Sequence, residues 1–456
     1  MQDYGVNCLK GAVMQAYELK DSGVDCLGNI PSHWVTGKIK NRFFLKPSNV
    51  DKKSYDDEIP VELCNYVDVY YNDFITNDLV FMSATATDYE IQKFSLNIDD
   101  VIITKDSEDP MDIGVPALVK EVKPNLVCGY HLTMLRKRPC HVSGSFLFWA
   151  LKDEAIASQF YREATGVTRW AISSRNIKNV AIAYPKLNEQ KTIADYLDQA
   201  CQSIDKTISL KQQQLTSIVK QQDDIIQTAV NKGIYRNIEL KNSGIDWIGD
   251  IPIHWKVKRL KRVLKESEYG ISVSTEEEGK FSVLKMGNIV NRKINDSKIE
   301  FVQEVDENLL VKNDDLLFNR TNSHDQVGKV GIYNGILGEN VTYASYLVRL
   351  RPNHLCSPHF LNYYLNNSAF LSFARRMAIP SVQQANLNPN RYGRLEIAVP
   401  PIEEQHDIVK FLDIEINNLE KLKEVLQNQI KTLIQYRQSL IHECVTGKKR
   451  VYQVTH

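Results

Sequence analysis

Apolar residues recur at every seventh position in two long stretches of the chain. No glycine or proline interrupts the first stretch before Gly233 or the second before Gly447. The main seam positions are Leu197, Ile204, Lys211, Ile218 and Ile225 in the first stretch, and Leu412, Leu419, Leu426, Leu433 and Leu440 in the second. This period predicts two helices, 188–232 and 403–447, each about 65 Å long at about 1.5 Å per residue.

Each predicted helix carries one apolar stripe that must be buried against a partner. The simplest partner for one helix is the other, in an intramolecular antiparallel coiled coil. The alternative is a coiled coil between two chains. Lys211 stands in an otherwise apolar seam, which indicates a solvated face or a contact with another protein.

The chain repeats itself around these helices. Residues 19–34 run LKDSGVDCLGNIPSHW, and residues 240–255 run LKNSGIDWIGDIPIHW. A second shared motif, Pro-x-x-x-Glu-Gln, begins at Pro185 and again at Pro400 and leads into each helix. Short β-prone runs precede both prolines. The sequence therefore predicts an α+β protein in which two copies of one mixed fold carry different surfaces.

The repeat divides the chain into six predicted segments with pseudo-two-fold symmetry. They are an N-terminal extension (1–18), a first domain (19–187), a first helix (188–232), a second domain (233–402), a second helix (403–447) and a C-terminal tail (448–456). The length of 456 residues agrees with this division, because one hydrophobic core usually stops growing at roughly 250–300 residues.

Charge and apolar content narrow the class of protein. The 56 Lys and Arg balance the 56 Asp and Glu, so a polyanionic partner must be bound by local patches. No apolar run reaches the roughly 18–20 residues that span a bilayer, and the N-terminus does not resemble a secretion signal. We therefore expect a cytoplasmic protein without a membrane partner. The eight cysteines form no CxxC pair, as expected for reduced thiols.

The sequence lacks common catalytic signatures. It contains no GxxxxGK loop, no GxGxxG loop, no Asn/Asp-Pro-Pro-aromatic tetrapeptide and no HExxH motif. Asp106, Glu108 and Lys120 have the composition of a nuclease centre, but we interpret them as solvated loop residues because a quarter of the chain is charged. His33 and His254 each precede a tryptophan in the repeat, and we interpret both as structural. No catalytic residue, metal site or cofactor site is predicted.

Local basic patches in the two inserts, 36–184 and 256–400, are the best candidates for binding DNA. Arg recognises guanine, and Asn or Gln recognises adenine, through paired hydrogen bonds in the major groove, whereas cations on phosphate position the protein. Segments 319–323 and 381–391 combine arginines with amides and are the strongest candidates. The predicted DNA-binding residues are Arg136, Lys137, Arg138, Arg169, Arg175 and Lys178 in the first insert, and Asn319, Arg320, Asn322, Arg375, Arg376, Gln383, Gln384, Asn386, Asn390 and Arg391 in the second.

The shared motifs together resemble those of the specificity subunits of type I restriction-modification systems. The resemblance covers nearly the whole chain and rests on SGxxxxGxIPxHW at 22–34 and 243–255, on the Pro-x-x-x-Glu-Gln helix starts and on the dissimilar inserts. It implies a non-catalytic subunit with two target-recognition domains, each binding one half of an asymmetric, bipartite site in double-stranded DNA. It also implies that the two helices set the spacing between the half-sites.

The resemblance further implies partner proteins. Modification subunits, two per chain, would dock on the helices, bind S-adenosylmethionine and methylate adenine, and restriction subunits would use ATP and magnesium. The alternatives are a stand-alone nuclease or methyltransferase with an unrecognised centre, and a coiled-coil scaffold without a role on DNA. Cys26 replaces the tryptophan that the second copy has at Trp247, which leaves the local packing of the first copy open.

Overall fold

The computed structural model describes residues 17–139, 141–380 and 384–452. The chain divides into two compact units, the first formed by Met1–Lys211 with Asn428–His456 and the second by Gln212–Gln427. Each unit contains one insert and part of each long helix. The predicted DNA-binding residue Gln383 lies outside the described residues.

The first half of the chain mixes short strands and short helices and ends with one of the long helices. Its elements are β1 (Leu19–Asp21), β2 (Asn29–Pro31), β3 (Val35–Lys38), α1 (Ile39–Arg42), β4 (Phe43–Pro47), β5 (Ile59–Cys64), α2 (Tyr66–Tyr70), β6 (Phe74–Ile75), β7 (Met82–Ala86), α3 (Asp88–Phe94), β8 (Val101–Thr104), β9 (Asp106–Ser107), β10 (Pro116–Val119), β11 (Leu126–Cys128), β12 (Leu132–Lys137), α4 (Gly144–Lys152), α5 (Glu154–Tyr161), β13 (Thr165–Gly166), β14 (Trp170–Ala171), α6 (Ser174–Asn179), β15 (Ala181–Tyr184) and α7 (Leu187–Lys232). The largest sheet has the order β4-β12-β8-β10-β6, and smaller sheets are β11-β5-β7 and β13-β14-β9.

The second half of the chain repeats this plan and ends with the other long helix. Its elements are β16 (Leu240–Asn242), β17 (Asp250–Pro252), β18 (Lys256–Arg259), β19 (Leu264–Tyr269), β20 (Phe281–Leu284), β21 (Ile289–Val290), β22 (Lys293–Ile294), β23 (Glu300–Val302), β24 (Leu316–Asn319), β25 (Thr321–Asn322), β26 (Val330–Ile332), β27 (Val341–Tyr343), β28 (Leu347–Pro352), α8 (Pro358–Leu365), α9 (Ser368–Arg376), β29 (Ile379–Pro380), β30 (Ala385–Asn386), α10 (Pro389–Tyr392), β31 (Glu396–Val399) and α11 (Ile402–Val445). The main sheet has the order β19-β28-β24-β26-β22-β21, and smaller sheets are β23-β20-β27 and β25-β30-β29. The predicted α+β fold with an internal repeat is confirmed.

A two-stranded sheet closes each insert. Strand β3 pairs antiparallel with β15, so that Val35 lies opposite Tyr184, and β18 pairs in the same way with β31. The first and last strands of each insert therefore lie side by side. This pairing brings the motif that precedes the insert close to the motif that follows it.

The shared glutamates connect the two motifs within each unit. Glu189 accepts a hydrogen bond from the indole Nε1 of Trp34 at 3.1 Å, and its other oxygen lies 3.0 Å from His33. In the second unit Glu404 contacts Trp255 at 3.1 Å and His254 at 2.8 Å, both through its Oε2. Both tryptophans are fully buried. These contacts give the repeated histidines a structural role, in agreement with their interpretation from sequence.

The shared glutamines hold the loops that precede α4 in the first unit and α8 in the second. The Gln190 side chain accepts a bond from the Ser143 backbone N–H at 2.9 Å and donates to the Pro185 carbonyl at 2.9 Å. Gln405 makes the same pair of contacts with Ser357 and Pro400. A buried amide that is satisfied on both sides fixes local geometry, because any movement leaves a polar group without a partner.

Helices α7 and α11 run antiparallel where they meet in the first unit. Asp205 pairs with Arg437 at 2.9 Å, and Lys211 donates to Gln429 at 2.7 Å, so the numbers fall along α11 as they rise along α7. The lysine that interrupts the predicted apolar seam is therefore a donor between the two helices.

The same two helices also pair within the second unit. There Gln222 donates to Glu420 at 3.1 Å, and Ile218, Leu419 and Leu426 form a buried cluster. The predicted intramolecular coiled coil is confirmed, and both helices begin and end within two residues of the predicted bounds. The predicted limits of the recognition domains themselves stay a prediction.

Gly447 ends α11 in a conformation that requires glycine. Its φ is +74°, and an added Cβ would lie 2.4 Å from Pro31 Cγ. We expect Gly447→Ala to destabilise the first unit by about 2–4 kcal/mol, because left-handed strain and a steric clash act together. Gly23 has a similar φ of +70° but open space around it, so Gly23→Ala should cost only about 1–2 kcal/mol. Denaturant unfolding of both variants measures the difference, and equal losses would contradict the clash.

Candidate nucleic-acid interface

A small three-stranded sheet is built in the same way in both units. In the first unit β14 pairs with β13 and β9, so that Ala171 lies opposite Asp106. In the second unit β30 pairs with β29 and β25, so that Asn386 lies opposite Thr321. The two segments predicted as strongest candidates, 319–323 and 381–391, thus meet through one strand pair. The sequence did not predict this contact, because the two segments lie far apart along the chain.

An ion-pair network covers the small sheet of the first unit. The buried carboxylate of Asp106 accepts hydrogen bonds from Arg169 Nε at 3.1 Å and Nη2 at 2.6 Å, and lies 2.6 Å from His131 Nδ1. Arg169 Nη2 is also 3.1 Å from the same histidine nitrogen. The Arg169 side chain remains 55% exposed. A predicted DNA-binding arginine is therefore held at the surface by a buried acid.

The second unit replaces this network with amides. Arg320 Nη2 donates to Asn386 Oδ1 at 3.2 Å, and Asn386 Nδ2 donates to Thr321 Oγ1 at 3.2 Å. Asn322 accepts a bond from the next backbone N–H. Asn319 is buried, and its Oδ1 has no hydrogen-bond partner among the described residues. The structure thus brings four of the predicted residues into one region.

A cation lies over a tyrosine ring beside the small sheet in each unit. Lys105 Nζ is 4.9 Å from the ring centre of Tyr130, and the Arg320 guanidinium is 5.1 Å from that of Tyr269. Burial lowers the pKa of Lys105, although the nearby Asp106 raises it. Both tyrosines are about half exposed, so each unit presents an aromatic surface next to positive charge. The sequence prediction omitted Lys105, although the repeat places it at the position of Arg320.

Arg136 belongs to the frame of the fold in this structure. Its guanidinium binds the buried carboxylate of Asp100 with two nitrogens, at 2.9 and 2.5 Å. The second copy repeats this ion pair as Arg351 with Asp315, at 2.7 Å for both bonds. Because both copies contain the pair, it supports the shared fold rather than a surface that differs between copies.

The other two members of the first basic run differ in their exposure. Lys137 pairs with Asp99 at 2.9 Å and is half exposed. Arg138 donates to the Lys40 carbonyl at 3.1 Å and stacks on the Phe44 ring. Lys137 is therefore exposed, whereas Arg138, like Arg136, is partly buried.

Arg175 and Lys178 lie in a basic pocket at the corner between β3 and α6. Four of the five side chains that line it are cationic, namely Lys38, Lys40, Arg175 and Lys178, with Asn179 as the fifth. At the equivalent corner of the second unit, Lys261 and Asn390 line a pocket that also contains Lys265 and Glu266. The first corner is therefore the more suitable site for a phosphate group.

The remaining predicted residues fall in two groups. Arg375 donates to the carbonyls of Val327 and Asp325, and its burial lowers its pKa, so its guanidinium is engaged within the fold. Four predicted residues, Arg376, Gln384, Asn390 and Arg391, have exposed side chains. The structure thus separates engaged arginines from available ones, which residue type alone does not do.

The described residues do not assemble the nuclease-like set. Asp106 pairs with Arg169 and His131, whereas Lys120 binds Asp198 on α7 at 2.5 Å. Across residues 17–139, 141–380 and 384–452, no group of three His, Cys, Asp or Glu side chains is arranged to hold a metal ion. In the same ranges no helix is long and apolar enough to cross a membrane.

Comparison with known proteins identifies relatives of both halves. The family model of the type I restriction modification DNA specificity domain matches residues 31–235 and again residues 252–432. The chain is 23% identical over 441 residues to the EcoKI specificity subunit of Escherichia coli K12, covering 92% of this chain and 90% of the relative. It is 27% identical over 205 residues to the putative MjaX specificity subunit of Methanocaldococcus jannaschii, and this match covers 44% of the chain and 47% of that relative.

Solved structures share the fold. A chain from a study of complex assembly and conformational transition in a type I R-M system matches 92% of this chain and 99% of its own length, with a TM-score of 0.70 and 15% identity. The HsdS subunit of Thermoanaerobacter tengcongensis matches with a TM-score of 0.55 and 16% identity, over 92% of this chain and 98% of its own. These low identities show similarity of fold alone.

Proposed function

Because the chain belongs to the type I restriction-modification DNA specificity family, as a specificity subunit with two target-recognition domains, we propose that each domain binds one half of a bipartite site in double-stranded DNA. The observation that carries this proposal is the small sheet, which both units build on the same frame but cover with different side chains. Recognition of two different half-sites by two copies of one fold requires the same strand arrangement with different side chains on its surface. We take the domain limits to be 19–187 and 233–402.

Two kinds of surface support the recognition of DNA. The small sheets present arginine, amide and tyrosine side chains, which suit base edges and stacking. The basic pocket of Lys38, Lys40, Arg175 and Lys178 suits phosphate, which positions the protein without selecting sequence. A chain with no net charge can thus bind DNA through separate local patches.

The long helices are proposed to dock the partner subunits and to set the spacing of the half-sites. Phe411, Ile414, Leu422 and Val425 of α11 are exposed apolar residues, which favours a protein partner on this helix. We propose two modification subunits per chain, which bind S-adenosylmethionine and methylate adenine. Restriction subunits that use ATP and magnesium then join this complex in the cytoplasm. The chain itself acts by recognition rather than catalysis.

Mapping adenine methylation in cells that contain the chain and its modification subunits tests this function. We expect methylation at one asymmetric motif made of two short half-sites with a gap of fixed length. Replacing residues 36–184 with the insert of a relative should change one half-site and leave the other intact, because the inserts lie in separate units. A motif without a gap, or loss of both half-sites in a complex that still assembles, would contradict the proposal.

A further inference from the structure

We infer that Arg169 and Gln384 are equivalent base-reading residues, with Arg169 selecting a guanine in one half-site and Gln384 an adenine in the other. This inference rests on the proposed recognition of DNA. It adds the identity of one base contact in each domain. The internal repeat supplies the comparison, since each domain serves as the control for the other.

The two residues occupy the same place in the small sheet. Arg169 immediately precedes β14, and Gln384 immediately precedes β30. The strands that follow have equivalent partners, because Ala171 lies opposite Asp106 and Asn386 lies opposite Thr321. Both side chains are exposed, and each lies one residue before the second strand of an antiparallel pair. The difference between arginine and glutamine at this position therefore changes the exposed side chain, while the strand pairing is the same in both units.

The Arg169 side chain is oriented before any ligand binds. Its Nε and Nη2 groups are held by Asp106, which is only 9% exposed, while Nη1 has no partner within the described ranges. Fixing a long side chain in advance reduces the ordering cost of binding. The ion pair neutralises the buried charge of Asp106, but it leaves the arginine side chain 55% exposed, with Nη1 unpartnered among the described residues. A guanidinium held in this way presents donors to guanine O6 or N7.

The second unit lacks this support and has an amide instead. The equivalent of Asp106 is Thr321, which cannot neutralise an arginine and instead accepts a bond from Asn386. An exposed glutamine beside this amide network matches the paired donor and acceptor of adenine N6 and N7. In each small sheet the supporting side chain thus suits the one that it contacts, because Asp106 is paired with an arginine and Thr321 is hydrogen bonded to an amide.

Position separates base contact from phosphate contact in the same domain. Arg175 follows β14 on the short helix α6 and lies in the pocket shared with Lys38, Lys40 and Lys178. Clustered cations suit phosphate, whereas a single arginine held by a carboxylate suits one base edge. Arg175 is therefore a matched control for Arg169, with the same residue type at a different kind of site.

The test uses the full chain assembled with its modification subunits and a library of DNA sites randomised in both half-sites. For Arg169→Gln we expect discrimination for guanine at one position of one half-site to fall roughly 10- to 100-fold, with the other half-site unchanged. Gln384→Arg should shift one position of the other half-site away from adenine. Arg175→Gln should weaken binding to all sites alike, with a shallower dependence on salt.

A uniform loss of affinity in Arg169→Gln without any change in the selected motif would assign Arg169 to phosphate and overturn the inference. An unchanged motif with unchanged affinity would overturn it as well. Arg169→Lys keeps the charge but lacks the fork, so it should lose guanine discrimination even if the glutamine variant fails to assemble. If the wild-type complex selects no bipartite motif, the proposed function itself fails, and this outcome is distinct from those above.

Discussion

Inserting seven residues into both long helices is expected to lengthen the gap between the half-sites by about three base pairs. Seven residues add about 10.5 Å of helix, and base pairs are stacked about 3.4 Å apart. The insertions belong after Lys211 and before Gln429, because these residues face each other in the antiparallel pair and are hydrogen bonded at 2.7 Å. A full heptad keeps the apolar seam in register, because the seam repeats every seven residues. Mapping of adenine methylation in cells reports the gap and both half-sites.

A single insertion provides the control for this experiment. Seven extra residues in α7 alone shift its seam against α11 and separate pairs such as Gln222 with Glu420. We expect that variant to lose activity through misfolding or failed assembly. The paired insertion should retain it. Unchanged gap length, or new half-site sequences, in the paired variant would contradict the spacing role of the helices.

Asp315→Asn is expected to destabilise the second unit by about 3–5 kcal/mol, the usual cost of breaking a buried ion pair. Asp315 is buried and binds Arg351 through two hydrogen bonds of 2.7 Å. These bonds raise the pKa of the Arg351 guanidinium. Arg349, only 1% exposed, lies 3.9 Å from the same carboxylate. Loss of the charge leaves both arginines with Glu266 as their remaining acid among the described residues.

The neighbouring residue gives a matched control. Asp314 is half exposed and pairs with His359 at 3.3 Å, and its φ of +67° is one that asparagine also tolerates. Asp314→Asn should therefore change stability by less than about 0.5 kcal/mol. Denaturant unfolding of the two variants compares them directly. Similar stability of both variants would show that the buried network does not support the fold.

Comparison of the two copies, more than residue type, shows which arginines support the fold and which belong to a surface that differs between the copies. Arg136 and Arg169 were equal candidates in sequence, since both are arginines in polar stretches of the first insert. The structure distinguishes them because the Arg136 ion pair recurs as Arg351 with Asp315, whereas the Arg169 network does not recur. Whether either residue contacts DNA stays a prediction.

The sequence by itself determined the two long helices, the repeat and the motifs that frame each insert. Heptad spacing and duplicated motifs are patterns along the chain, and a helix of 46 residues such as α7 follows from local period alone. Only the tertiary structure decided which charged residues are engaged and which remain available. Asp100 lies 36 residues from Arg136, and segment 319–323 lies more than 60 residues from Asn386. Both contacts arise from strand pairing. A pattern of residues within one strand does not indicate which distant strand it will pair with.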